Sequence, residues 1–236
     1  MEQKIKAALE KLSTQQKAKT TARFFKTGKG EYGEGDIFIG VTMPEQRVVA
    51  RQHLQANFAH IRKLLSCKVH EHRLTALIIL VEQYKQTNVK RREQIVAFYL
   101  KNLKQVNNWD LVDCSAPYIL GEYLIAHPTK RKMLLRMVKS SNLWERRIAM
   151  VATLAFIRNQ EFTHTLKLAQ QLLGDTHDLM HKATGWMLRE VGKKNQRTLE
   201  EFLNKHAHRM PRTILRYAIE RMEEGKRKQY LNRKKE

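Results

Sequence analysis

In Glu71-His72-Arg73-Leu74-Thr75-Ala76-Leu77-Ile78-Ile79-Leu80-Val81, residues Leu74, Leu77, Ile78 and Val81 recur at intervals of three and four, the period of one helical face. The uncharged part, Leu74 to Val81, is eight residues long against the roughly twenty needed to cross a bilayer, so it reads as a buried helix and no membrane span is expected. The same spacing holds upstream at Ile5, Ala8, Leu9 and Leu12 and downstream at Ile95, Phe98, Tyr99 and Leu103. It returns at Ile148, Val151, Ala152 and Ala155, at Leu166, Leu168 and Leu172, and at Met187, Leu188 and Val191. No alternating strand pattern stands out. Stops or caps fall at Met43-Pro44, Asn88, Asn107-Asn108, His127-Pro128, Ser140-Ser141-Asn142, Gly174-Asp175, Lys194-Asn195 and Met210-Pro211. The expectation is an all-α chain of about a dozen helices in antiparallel pairs.

Helices of that length joined by short links suggest a repeat. Glu71-His72-Arg73-Leu74-Thr75-Ala76, Trp144-Glu145-Arg146-Arg147-Ile148-Ala149 and Met180-His181-Lys182-Ala183-Thr184-Gly185 share a charged opening and a small residue near the helix centre. Arg73, Asp113, Arg147 and Lys182 then follow one another at 40, 34 and 35 residues, near the two-helix length of HEAT-type repeats. In such a solenoid the second helix of each pair lines one concave face. Residues 1–225 are expected to form a single domain of this kind, and the basic, Gly-led segment 226–236 a frayed tail.

Across 236 residues, 45 Lys and Arg against 23 Asp and Glu leave a formal charge of +22, which makes a concave face of this chain basic and nucleic acid the first partner to consider. Two cysteines, Cys67 and Cys114, cannot make a disulfide framework, and Met1 to Lys6 lacks a signal-type apolar run. A cytoplasmic, nucleoid-associated protein is expected.

Several motifs carry no chemistry. Gly28-Lys29-Gly30-Glu31-Tyr32-Gly33 matches G-x-G-x-x-G, but no strand precedes it and no helix follows, so it reads as a flexible loop. Cys67, His70 and His72 are spaced so that a helix points them apart, and no metal site is expected.

Aspartate is scarce, and two of its five positions lie in Asn108-Trp109-Asp110-Leu111-Val112-Asp113. With Asn108 as cap, Trp109 and Asp113 are i and i+4, about 40° apart on one face, while Asp110 points elsewhere. Taken alone, such a pair is either a core indole beside a solvated or paired acid, or the start of a site. Trp144 near Arg147, and Trp186 near Lys182 and Arg189, repeat the interleaving of aromatic and cation, which suits a phosphate backbone and a base or cationic group. An acid in that setting makes sense if it meets developing positive charge.

Asn108-Trp109-Asp110-Leu111-Val112-Asp113, Ser141-Asn142-Leu143-Trp144-Glu145-Arg146-Arg147 and Gly185-Trp186-Met187-Leu188-Arg189-Glu190 resemble the AlkD-type alkylpurine DNA glycosylases, HEAT-like repeat proteins of base-excision repair. Ile39-Gly40-Val41-Thr42-Met43-Pro44-Glu45-Gln46-Arg47 is similar to the family's turn into its third helix, so the likeness covers most of the chain. The resemblance implies that Asp113 is the catalytic carboxylate, that Trp109 and Trp186 pack around the damaged nucleotide, and that Arg147 grips the backbone beside it. Phe24 falls where the family has a tyrosine near the lesion, without the hydroxyl, and Phe25 competes for that assignment. Lys182, Arg189 and Arg73 are expected on the DNA backbone. The implied reaction is cofactor-free hydrolysis of positively charged N3- and N7-alkylated purines in duplex DNA, by a monomer without a deep base-flipping pocket. The alternatives are a non-catalytic scaffold of the same fold for nucleic acid or protein, and an RNA- or ribosome-binding protein.

Overall fold

Several helix starts fall where polar caps stand. In the computed structural model, which describes residues 1–232, the Thr42 and Glu45 side chains close a capping box ahead of Met43–Arg51. Asn88, Asn142 and Asn195 each accept a backbone N–H at the head of a helix. The chain divides into two compact units, Met1–Ser115 and Ala116–Glu236. Among the described residues there is no strand, only an isolated parallel bridge between Ile37 and Val69.

The first unit contains α1 (Glu2–Glu10), α2 (Gln15–Phe24), α3 (Met43–Arg51), α4 (Phe58–Leu65), α5 (His70–Lys85), α6 (Val89–Lys101) and α7 (Trp109–Ser115). Helix α5 is its hub, packed by α1, α3, α4, α6 and α7. It is enclosed on every side, from the charged opening His70 to Arg73 through the apolar run Leu74 to Val81. Residues 27–42 form turns rather than helix and run across the head of α5, where Ile37 N–H donates to Lys68 and His70 N–H to Ile37. The buried Glu71 carboxylate accepts the N–H groups of Ile39, Gly40 and Val41. Gly40 permits this crossing: its φ is 80°, and a Cβ there would lie 2.3 Å from the Thr14 carbonyl oxygen.

The second unit opens with a π turn, Pro117–Gly121, followed by α8 (Glu122–Ala126), α9 (Lys132–Met137), α10 (Leu143–Ala152), α11 (Leu154–Arg158), α12 (Thr163–Leu172), α13 (Asp178–Lys194), α14 (Gln196–His206), α15 (Arg212–Ala218) and α16 (Glu224–Asn232). Its hub is α13, packed by α10, α11, α12, α14 and α15. Gly185 sets the approach of α15, since a Cβ there would meet the Tyr217 Cβ at 2.4 Å. The end of the chain departs from the expected frayed tail. Residues up to Asn232 continue as α16, with the buried Tyr230 hydroxyl donating to Asn204 at 3.1 Å and Lys226 paired with Glu200 at 2.6 Å. Residues 233–236 of that segment lie outside the described part.

Candidate active site

The head of α7 is built from Asn108, whose Oδ1 accepts the Trp109 N–H at 2.8 Å. Trp109 and Asp113 stand one turn apart on this helix, both half-buried. The indole meets two rings. Phe25 lies stacked on it, with centroids 4.9 Å apart and planes 11° from parallel, and Phe24 meets it edge-on at 5.8 Å. Phe24 is 66% exposed and Phe25 only 8%, so Phe24 offers a ring to solvent while Phe25 is packing.

Behind this platform lies a buried polar network. His70, at the start of α5, directs Nε2 to Asp110 Oδ2 at 2.7 Å and Nδ1 to Asp36 Oδ2 at 3.1 Å. Burial alone would push the imidazole down, but the charge of Asp110 and the hydrogen bonds to Asp110 and Asp36 outweigh burial and the opposing Arg73, raising it to about 9. With both ring nitrogens facing carboxylates, His70 is an imidazolium. Burial also pushes the Asp36 carboxyl up, yet His70, Arg73 and Asn108 together hold it below its ordinary value. Asn108 Nδ2 donates to Asp36 Oδ2 at 3.0 Å, and Asp110 Oδ1 accepts the Leu111 N–H at 2.7 Å. Phe38 stacks on the imidazole at 4.6 Å and Phe25 lies 5.0 Å from it.

A cavity of about 270 Å³ adjoins the network, lined by Phe25, Phe38, Gln46, His70, Glu71 and Trp109 among others. Asp113 is not in its lining. Next to Asp113, burial and then the charges of Asp110 and Asp113 push the Cys114 thiol well up, which keeps it neutral and unsuited to act as a nucleophile.

Arg73 is turned into the fold rather than toward solvent. It was expected on DNA, but it is 4% exposed, with Nη2 donating to Asp36 Oδ1 and Nη1 to Asn107 Oδ1, both at 2.5 Å. The reason is that the charged opening of α5 is roofed by residues 36–41 and by the head of α7. Asp110, read as pointing away from chemistry, is a partner of the buried imidazolium.

In the second unit Arg147 is also buried, at 5%, and Nη1 donates to the Leu179 carbonyl at 2.7 Å. Its neighbour Arg146 binds Asp175 at 2.7 Å and the carbonyls of Ser140 and Ser141, fixing the turn into α10. Trp186 is half-buried on α13. On the same helix Lys182 pairs with Asp178 at 2.7 Å, and Arg189 with Glu220 and Glu190. Among the described residues no group of three or more His, Cys, Asp or Glu side chains could hold a metal ion, and no helix is long and apolar enough to cross a membrane.

Sequence reasoning missed Asp36, His70 and Asp110 as a unit, because these partners lie 34 and 40 residues apart along the chain and share no local pattern. The one available signal was the concentration of scarce aspartates beside Trp109.

The described residues form an all-helical fold in which the helix carrying Trp109 and Asp113 is backed by a buried ion network. The family model described as DNA alkylation repair enzyme matches residues 5–222, and the chain belongs to that family. A protein from Enterococcus faecalis described as a predicted DNA alkylation repair enzyme is similar, with 16% identity and a TM-score of 0.70 over 90% of this chain and 97% of that one. AlkD2 from Streptococcus mutans is similar too, with 17% identity and a TM-score of 0.59 over 87% of this chain and 98% of that one. At these identities the likeness is one of fold. No curated protein matches the chain.

Proposed function

We propose that this chain is a DNA glycosylase that hydrolyses the N-glycosidic bond of N3- and N7-alkylated purines in duplex DNA. The observation that carries this reading is the pairing of Trp109 and Asp113 one turn apart on α7, with the exposed Phe24 ring against the indole, in a member of the DNA alkylation repair enzyme family. An N3- or N7-alkylated purine already bears positive charge and leaves without protonation. The C1′–N bond breaks with its electron pair going to the base, which becomes neutral. The sugar becomes oxocarbenium-like, and the Asp113 carboxylate stabilises it. Water held by Asp113 then adds to C1′ and loses its proton to that carboxylate.

Trp109 and Phe24 offer ring faces to the lesion, and an indole attracts a cation by about 0.5 to 2 kcal/mol, which favours the charged base over a neutral one. Trp186 takes the role the family resemblance assigns it, at the damaged nucleotide, whereas Arg147, buried and donating to the Leu179 carbonyl, supports the start of α13 from within. Lys182 and Arg189 contribute positive charge toward phosphate. The chemistry is assigned to the outer side of the platform, where the exposed Phe24 ring meets the indole, without a base-flipping pocket. The enzyme acts as a monofunctional monomer, without cofactor, on nucleoid DNA in the cytoplasm.

Release of methylated purine from alkylated genomic DNA tests the activity. Asp113→Asn should keep DNA affinity within about threefold while excision of 7-methylguanine falls by at least about 100-fold, the scale of a lost electrostatic stabiliser. Excision at the wild-type rate in that variant would overturn the mechanism and leave a non-catalytic DNA-binding protein.

A further inference from the structure

The His70 network lies outside the reacting groups, yet it grips nearly every residue that sets the start of α7. Asn107 is held by Arg73, Asn108 by Asp36, Asp110 by His70, and the backbone of Trp109 and Leu111 by the side chains of Asn108 and Asp110. Phe25 touches both the imidazole and the indole. A helix start so tied cannot rotate without breaking buried charged hydrogen bonds, and Trp109 and Asp113 turn with it. The Gly28–Gly35 stretch thereby acquires a role. Its turns, with Gly28 and Gly30 N–H groups donating to Glu31 and Glu34, deliver Asp36 to the network.

We propose that His70 is a positioning residue for base excision: a buried imidazole clamped between Asp36 and Asp110 that fixes the direction in which Trp109 and Asp113 project from α7. This rests on the glycosylase reading for its catalytic consequence, but not for its structural one. The charged groups facing the imidazole are Asp110 from α7, Asp36 from the loop and Arg73 from its own helix, while Phe25 and Phe38 cover the ring. A reacting geometry displaced by about 1 Å costs on the order of 100-fold in rate, so loosening this clamp should act on the chemical step rather than on DNA affinity.

The test uses the full chain labelled with fluorotryptophan, the Trp109 signal being identified by its loss in Trp109→Phe. In the wild type that fluorine signal should titrate with a midpoint near pH 9 as the buried cation discharges. In His70→Gln the titration should vanish, and excision of 7-methylguanine should slow by about 10- to 100-fold with DNA affinity within about threefold. Asp110→Asn, which removes one charge with little change of shape, should move the midpoint toward neutral pH and serves if His70→Gln does not fold. A wild-type signal that stays still, or the same titration in His70→Gln, overturns the proposal. Excision unchanged in a folded His70→Gln protein overturns it as well. Absence of excision in the wild type would instead fail the glycosylase reading, while the fluorine titration still decides whether His70 positions Trp109.

Discussion

Phe25 and Trp109 lie face to face, 4.9 Å between centroids, while the adjacent Phe24 touches the same indole only by an edge. Two neighbouring residues of the same type are thus divided between packing and surface. Phe25→Ala should cost about 3 to 5 kcal/mol of stability, the usual range for a buried phenylalanine. Phe24→Ala, at a largely exposed position, should change stability by under about 1 kcal/mol and slow excision. Urea unfolding and single-turnover excision measured on both variants separate the two effects. Equal unfolding midpoints for the two would refute the division.

Two histidines predict opposite pH dependences. His70 is raised from 6.5 to about 9 in the folded state, so its stabilisation is complete below about pH 6.5 and is lost as pH climbs through 9. The difference corresponds to about 3 kcal/mol. His72 behaves the other way. Its ring nitrogens have no hydrogen-bond partner among the described residues, and burial, assisted by Lys6, pushes it down to about 4. Stability from keeping it neutral is present above about pH 6.5 and lost as pH falls toward 4. Unfolding free energy should therefore decline on both sides of about pH 6.5. His72→Leu should flatten the acid limb without loss at neutral pH, because the buried ring forms no hydrogen bond to give up. His70→Gln should flatten the alkaline limb. Chemical denaturation from pH 5 to 9.5 checks both, and an unaltered acid limb in His72→Leu would exclude His72 as its source.

What could be read from the chain was whatever is encoded locally. The start of α3 at Met43-Pro44, the asparagine caps and the apolar run Leu74 to Val81 of α5 are decided within a few residues of sequence, and all lie where the sequence signals set them. The one-turn relation of Trp109 and Asp113 follows from the same short-range geometry. Asp36 was illegible for the converse reason: its partners His70, Arg73 and Asn108 are 34 to 72 residues away, and only the folded loop brings them together. The last helix was hidden similarly. A basic, Gly-led segment looks unstructured until Tyr230 and Lys226 find Asn204 and Glu200 on α14. Arg73 and Arg147, which a repeat pattern sets in register with Lys182, are buried whereas Lys182 is half-exposed; periodicity reports helical phase, not which helix is roofed over.

That contrast yields a last prediction about DNA affinity. Each phosphate contact contributes about one unit to the slope of log affinity against log salt, so removing a contacting cation flattens the slope and removing an internal one does not. Lys182→Gln should lower the slope by about one unit. Its pairing with Asp178 is between side chains 42% and 60% exposed, so the substitution should change stability by under about 1 kcal/mol. Arg73→Gln should leave the slope unaltered. It removes one of two cationic partners from the buried Asp36 carboxylate, which keeps His70 and Asn108, and about 1.5 to 3 kcal/mol of stability should be lost. Titrations of duplex DNA at several sodium chloride concentrations, beside denaturation curves, distinguish the two classes of cation. A flattened slope in Arg73→Gln would return that residue to the DNA face, whereas an unchanged slope in Lys182→Gln would remove Lys182 from it.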